Sequence, residues 1–137
     1  MTGDRWGLIG YRLAQLGALV TAVGGSFDAL VRKLLPHHEA YLGVATGGAT
    51  AAMSSLVLLL LHTLGVSLVA VGIGALALLA DWRRSGARTS AIAAAGMVGL
   101  AEAMNAWAIW RVGSMLFVVP LLCMALVVGG VAMALRA

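Results

Sequence analysis

Residues 81–88 read Asp81-Trp82-Arg83-Arg84-Ser85-Gly86-Ala87-Arg88 and form the most hydrophilic run of an otherwise apolar chain. This run carries four charges in eight residues. Because an Arg or Asp at the centre of a bilayer costs roughly 2.5 to 3.5 kcal/mol, the stretch cannot lie within the hydrocarbon. We therefore predict a loop at 81–88 outside the membrane, with Trp82 at the interface. Its three arginines favour the cytoplasmic side.

The composition predicts an integral membrane protein. Of the 137 residues, 62% are hydrophobic and 10% are charged, whereas soluble domains carry about 25% charged residues. The formal net charge is +4, but the basic residues flank apolar runs and do not line one face. This pattern predicts membrane lipid as a partner, and not nucleic acid. The single cysteine, Cys123, excludes an internal disulfide bond.

The apolar runs predict an all-α bundle of four transmembrane helices. Counted outward from the loop, the expected spans are 7–31, 56–80, 89–110 and 114–135. Residues 40–80 include 41 positions without Asp, Glu, Lys or Arg, although about 20 residues suffice to cross the hydrocarbon. We interpret 42–55 as an extension of span two or as an interfacial helix before it. A fifth span, with a turn at 62–65, is the alternative.

The basic residues also predict the orientation. Six of them fall on the side of the 81–88 loop and three on the other side. Since cytoplasmic loops are enriched in Lys and Arg, both termini are expected in the cytoplasm. We expect the membrane to be a bacterial inner membrane.

Small residues recur at helical spacing in the first and third spans. Lipid provides no hydrophobic force that brings helices together, so helices associate where small side chains let their backbones approach closely. We therefore expect a packing face on each of these spans. The positions expected in contact with neighbouring helices are Gly10, Gly17, Gly24, Ala95 and Gly99.

Polar residues inside the spans are the candidate functional residues, because they are costly in a membrane. Under the four-span topology they all fall in the outer half of the membrane: Asp28, His62, Glu102 and Asn105.

Each candidate also has a structural interpretation. Asp28 could be a surface carboxylate near Arg32, and Glu102 could be hydrogen-bonded or paired with an arginine of another subunit. His62 could be a packed, hydrogen-bonded residue. We expect His37 and His38 to lie in a solvated loop.

Three stretches resemble the YgdD-like family of small four-span membrane proteins, whose function is unknown. Residues 24–30 (Gly-Gly-Ser-Phe-Asp-Ala-Leu) resemble the motif that ends the first span of that family. Residues 62–64 resemble the start of its second span, and Pro120 with Gly129-Gly130 resembles its last span. Two positions depart from the pattern: Asp28 stands where the family has a histidine, and 102–107 replace an aromatic motif. The resemblance implies a fold and no activity.

The sequence contains no motif for catalysis, so we expect a protein that is not an enzyme. The leading hypothesis is a non-catalytic subunit or assembly partner of a larger membrane complex, or a homo-oligomer. An alternative is a small proton-coupled transporter or channel that uses Glu102. A third is a redox subunit that binds haem or quinone through His62. No resident metal or other cofactor is expected.

Overall fold

The computed structural model describes residues 3–46 and 50–137, and it confirms the all-α fold. A short 3-10 helix at Met115–Phe117 precedes the last α-helix. The five α-helices are α1 (Gly3–Leu30), α2 (Pro36–Thr46), α3 (Ala51–Ser85), α4 (Arg88–Arg111) and α5 (Val118–Arg136).

Four of these helical segments are long and apolar enough to cross a membrane. They correspond to α1, α3, α4 and α5 with its preceding 3-10 turn, and α3 and α5 have the highest mean hydropathy, at 2.5 and 2.6. The predicted four-span bundle is therefore confirmed. The five-span alternative is wrong, because α3 continues through 62–65 without a turn.

The stretch predicted as a loop at 81–88 is helical up to Ser85, which corrects the expected end of span two. At 1.5 Å per residue, the 35 residues of α3 extend about 52 Å, whereas the hydrocarbon is only about 30 Å thick. The helix can thus carry its charged end into water before it stops. Gly86 ends it with a positive φ of 74° and donates its backbone N–H to the Trp82 carbonyl.

The short helix before span two begins earlier than expected. We predicted helix at 42–55, but α2 begins at Pro36, a residue favoured at the first helical position because its missing N–H is not needed there. α3 then starts after Thr50, whose side chain accepts a hydrogen bond from the Met53 backbone N–H. Positions 47–49 of the predicted segment lie outside the described residues.

The four long helices form an up-down-up-down bundle. α1 packs against α3 and α5, and α4 packs against the same two helices, so α1 and α4 face each other across the diagonal. Both chain termini lie at one end, where the Cβ of Ala137 would be 3.5 Å from a Cβ placed on Gly7. We call this the terminal end, and the opposite end, which carries α2, the α2 end.

Close backbone approaches hold α1 between its two neighbours. A Cβ on Gly130 of α5 would lie 2.5 Å from the Gly10 carbonyl oxygen. A Cβ on Gly17 would lie 2.6 Å from Val127 Cγ2. Toward the α2 end the contact changes to α3, where a Cβ on Gly25 would lie 2.6 Å from the Gly65 carbonyl oxygen. These small-residue faces are therefore filled within one chain.

One of the five predicted packing positions needs correction. Gly24 is exposed and would meet nothing within 4 Å, because the contact face of α1 has rotated to Gly25. On α4, Ala95 packs against the core, and a Cβ on Gly99 would lie 3.3 Å from Val128 Cγ2 of α5, so both positions contact neighbouring helices as predicted. They are half-buried, whereas the adjacent Ala94 and Val98 are fully buried. Each helix packs against two neighbours at once, so its buried face is not the single stripe that the spacing of small residues predicts.

The core fills the half of the bundle nearest the terminal end. It consists of small and medium apolar side chains, chiefly alanine and valine, with Leu79 as its largest fully buried member. Tyr11 closes this end through an edge-to-face contact with Trp82, at a ring centroid distance of 6.1 Å. The opposite half of the bundle contains the polar residues and the cavities.

Candidate functional site

Glu102 lies at the centre of the bundle, with 3% of its surface exposed. Its Oε1 accepts a hydrogen bond of 2.5 Å from the Thr21 hydroxyl, which is itself only 2% exposed. The bond joins α4 to α1, the two helices on the diagonal of the bundle. Its burial shows that the Glu102 side chain points into the bundle, and its hydrogen bond agrees with the structural interpretation given from the sequence.

Two further polar groups surround this carboxyl group. Asn105, one turn along α4, donates its side-chain amide to Glu102 Oε2 at 3.4 Å. The buried Cys123 of α5 lies beside the same residues. Three helices of the bundle therefore contribute polar atoms to one small centre.

A cavity of about 320 Å³ opens beside this centre, and we call it the Glu102 cavity. Its polar lining consists of Thr21, Asp28, Glu102, Asn105 and Cys123. Within the described part of the chain, no Arg, Lys or His side chain borders it. The hydrogen bonds to the Glu102 carboxyl group come instead from Thr21 and Asn105.

A second cavity of about 400 Å³ lies under α2, and we call it the α2 cavity. α2 contributes His37, His38, Tyr41 and Leu42 to its lining, and the remaining walls are mostly leucine, isoleucine and valine from α3 and α4. Asp28 and Asn105 line both cavities. The two spaces are therefore neighbours, and together they reach from the α2 end to Glu102.

Asp28 stands at the junction of these cavities. It is half-buried and also borders a groove on the outer side of α1. Among the residues that the structure describes, it has no hydrogen-bond or ion-pair partner, so it is not paired with Arg32, the neighbour named in its structural interpretation. Asp28 is thus a carboxyl group that faces open space from the end of a membrane helix.

The histidines differ from their predicted surroundings. His37 and His38 belong to helix α2 and are half-buried, where we predicted a solvated loop. Their rings lie 4.1 Å apart, and the His38 Nδ1 atom is buried without a hydrogen-bond partner. Burial, together with the charge of His37, holds the pKa of His38 below its usual range.

His62 is separate from both cavities. Its Nε2 atom lies 2.6 Å from the Val31 carbonyl oxygen, just beyond the end of α1, and must donate the hydrogen bond because a carbonyl only accepts. The side chain therefore satisfies one of the free carbonyls at the end of a helix. With Nε2 engaged in this way, this conformation offers only Nδ1 of His62 to a haem iron.

Access to Glu102 is one-sided in this conformation. Between Glu102 and the terminal end the bundle is filled by the apolar core, which includes Ala14, Ala18, Val98 and Val127 at 0% exposure. A small polar pocket at the terminal end, bordered by Tyr11, Trp82 and Arg83, does not include Glu102. The site is therefore open toward the α2 end and closed toward the termini.

Fold and site together define an integral membrane protein with four membrane-spanning helices. Among the residues whose burial is described, it has one buried carboxyl group, which lies beside cavities that open toward the α2 end. In comparisons with known proteins, no family model, curated protein or solved structure gives a significant match to the chain. The resemblance to the YgdD-like family therefore stays a prediction from the sequence.

The structure brings together three of the four predicted polar residues, namely Asp28, Glu102 and Asn105. Thr21, which bonds to Glu102, was not singled out from the sequence. The contribution of α2 to the α2 cavity was also not predicted, because Tyr41 and Leu42 do not form a clear helical pattern with the two histidines. A Pro at 36 followed by polar residues was the signal that could have indicated a new helix there.

Proposed function

We propose that the protein is a small proton-coupled membrane carrier, with Glu102 as the group that binds the coupling proton. One observation carries the proposal: a carboxyl group lies buried at the centre of the bundle, without a basic partner, beside cavities that lead to one end. Ionisable residues inside membrane bundles mark proton relays and substrate paths. Asp28 and Asn105 would form the polar part of that path.

A carrier needs a second conformation that opens toward the terminal end. The core on that side is built from small side chains, and its contacts between α1 and α3 are backbone approaches such as Gly72 against Ala18 and Ala22. In the second conformation α1 would have to move relative to α3. Thr21 would then separate from Glu102 when α1 moves.

The basic residues predict that both termini are cytoplasmic in a bacterial inner membrane. In this orientation the α2 end faces outward. Glu102 would be loaded with a proton from the outer side and would release it toward the cytoplasm after the bundle rearranges.

The test is proton uptake by purified protein in lipid vesicles that contain a pH-sensitive dye. When a pH gradient is imposed, vesicles with the unaltered chain should acidify faster than empty vesicles. Glu102→Gln should remove most of this flux, because the amide keeps the hydrogen-bonding shape but cannot titrate. Infrared difference spectra should lose one carboxyl band in the same variant.

Glu39→Gln is the matched control, because Glu39 is an exposed carboxylate on α2. It should leave the flux unchanged. If Glu102→Gln folds with an unaltered helical circular dichroism spectrum and still carries the full flux, the proposal is wrong.

A second candidate is the subunit or homo-oligomer expected from the sequence. The faces at Gly10 and Gly17 no longer support it, because they are filled within the chain. Gly96 on α4 and Gly129 on α5 favour it instead: both are exposed within membrane helices and meet nothing within 4 Å. Glycine weakens a helix, so glycines on the outer surface of membrane helices are better explained by close contact with a helix of another chain.

Native mass spectrometry of the protein from its own membranes tests this candidate. A complex that dissociates in Gly96→Leu but persists in Ile92→Leu, an exposed position on the same helix, would support it. A monomer in mild detergent for the unaltered chain would contradict it.

A further inference from the structure

We propose that the α2 cavity binds an amphipathic organic cation, an apolar body with one ammonium group, and that Asp28 is its counter-ion. The inference rests on the proposed carrier function and names its substrate class. It is supported by the charge, the shape and the position of the cavity.

The charge of the lining favours a cation. Asp28 is a carboxyl group without a partner among the described residues, and neither cavity is bordered there by Arg or Lys. The nearest basic groups are His37 and His38, and the lowered pKa of His38 keeps that ring neutral near pH 7. A positively charged ligand would therefore find an unpaired carboxylate, and among the described lining residues no Arg or Lys would compete for it.

The rest of the lining fits the apolar part of such a ligand. A space of about 400 Å³ is in the range of pockets that hold small organic molecules. Leu60, Leu64 and Ile109 supply apolar wall, and the Tyr41 ring lies at the same cavity. An aromatic ring together with a carboxylate is the combination that recognises alkylammonium groups.

The position of Asp28 provides a way in from the membrane. On its other side Asp28 borders a groove formed with Val23, Phe27 and Leu30, whose side chains are largely exposed on the outer surface of α1. A molecule dissolved in the outer leaflet would meet this groove first. Its ammonium group could reach Asp28 while its apolar body remains in contact with lipid or enters the α2 cavity.

The two carboxyl groups then explain coupling. Asp28 and Glu102 both line the Glu102 cavity, so a cation at Asp28 and a proton at Glu102 add positive charge to the same small space. Binding of one should oppose binding of the other, which is the basis of proton exchange for a cation.

The experiment is equilibrium binding of radiolabelled phenyltrimethylammonium to the full chain in lipid nanodiscs, with empty nanodiscs subtracted. Asp28→Asn should weaken binding by roughly tenfold or more, because an ion pair at a partly buried site contributes at least that much. Asp28→Glu should restore part of the affinity. Glu39→Gln, which removes an exposed carboxylate on α2, should bind as the unaltered chain does.

The neutral isostere tert-butylbenzene tests whether charge matters. It has the same shape without the charge, so it should compete poorly with the labelled cation. Three results would each overturn the inference. The first is that the isostere competes as well as the cation does, and the second is that a folded Asp28→Asn variant binds the cation with unchanged affinity. The third is that a short-chain quinone displaces the cation equally well from the unaltered chain and from Asp28→Asn.

The same assay separates this inference from the proposed function. In Glu102→Gln the cation should still bind, but its affinity should depend less on pH than in the unaltered chain. The dependence that remains would come from the other titratable groups at the cavity, Asp28, His37 and His38. If the cation binds through Asp28 and Glu102→Gln leaves the pH dependence unchanged, the cation site stands and proton coupling through Glu102 fails. If Glu102 carries the proton flux but Asp28→Asn does not alter cation binding, the coupling stands and the cation site fails.

Discussion

The hydroxyl group of Thr21 donates a hydrogen bond of 2.5 Å to Glu102 Oε1 and so joins α1 to α4 across the diagonal of the bundle. Both residues are almost completely buried. Because the two helices make few other contacts, this bond is the main polar link between opposite corners of the bundle. It also places the only buried carboxyl group of the described chain where a movement of α1 would change its surroundings.

We predict that Thr21→Val destabilises the protein by about 1 to 3 kcal/mol, because the variant leaves a buried carboxyl oxygen without its donor. Thr21→Ser should retain most of the stability, since it keeps the hydroxyl group. Thermal unfolding in detergent, followed by circular dichroism, measures the difference. Equal midpoints for the valine and serine variants would contradict a stabilising bond to Glu102.

Gly130 and Gly129 are adjacent on α5 and provide a matched pair for the packing of α1. Gly130→Ala should destabilise the bundle by about 1 to 3 kcal/mol, because the added Cβ would lie 2.5 Å from the Gly10 carbonyl oxygen. Gly129→Ala should be neutral or slightly stabilising, because nothing lies within 4 Å. Thermal unfolding of the two variants compares them directly. If both alanines have the same effect, the close approach of α1 and α5 is wrong.

His62→Ala should destabilise the junction between α1 and α3 by about 1 to 3 kcal/mol, because the Val31 carbonyl would lose its donor. Thr63→Ala is the control. The Thr63 hydroxyl bonds only to the Leu59 carbonyl of its own helix, so this variant should change little. Unfolding midpoints test both, and the visible spectrum of the purified protein tests the haem hypothesis. A Soret band that disappears in His62→Ala would make His62 a haem ligand.

The packing of α2 should weaken as the pH falls. The pKa of His38 is lowered in the folded chain, whereas a free histidine titrates near 6.5. Between these two values the unfolded state binds more protons, so stability increases with pH through this window and is lost on acidification. Below the lowered pKa no further loss is expected from this group. The other titratable groups at the cavity are Asp28, His37 and Tyr41.

Hydrogen exchange of the α2 amides, corrected for the intrinsic rate at each pH, measures this effect. Exchange should become faster when the pH falls below about 6.5. In His38→Asn this additional opening should be absent, because the new side chain does not titrate. The same pH dependence in the variant would assign the effect to another group.

The candidate site was partly predictable from residue positions. Glu102 and Asn105 are three residues apart on one helix, so their proximity follows from helical geometry, and burial of Glu102 follows from its place among small residues. That Asp28 lies at the same cavity required the parallel packing of α1 and α4 across the diagonal of the bundle. The roles of Thr21 and His38 could not be predicted, because the sequence does not show whether a hydroxyl or an imidazole faces a hydrogen-bond partner, a cavity or lipid.

The sequence by itself determined the class of the protein, the number of membrane helices and the approximate position of each, because these follow from the length and apolarity of local segments. Only the tertiary structure decided that Gly25 and not Gly24 packs against α3, that α2 covers a cavity, and that Thr21 meets Glu102. These features depend on how each helix is rotated about its axis. Each helix packs against two neighbours at once, so its rotation depends on the side chains of all three helices and cannot be predicted from its own sequence.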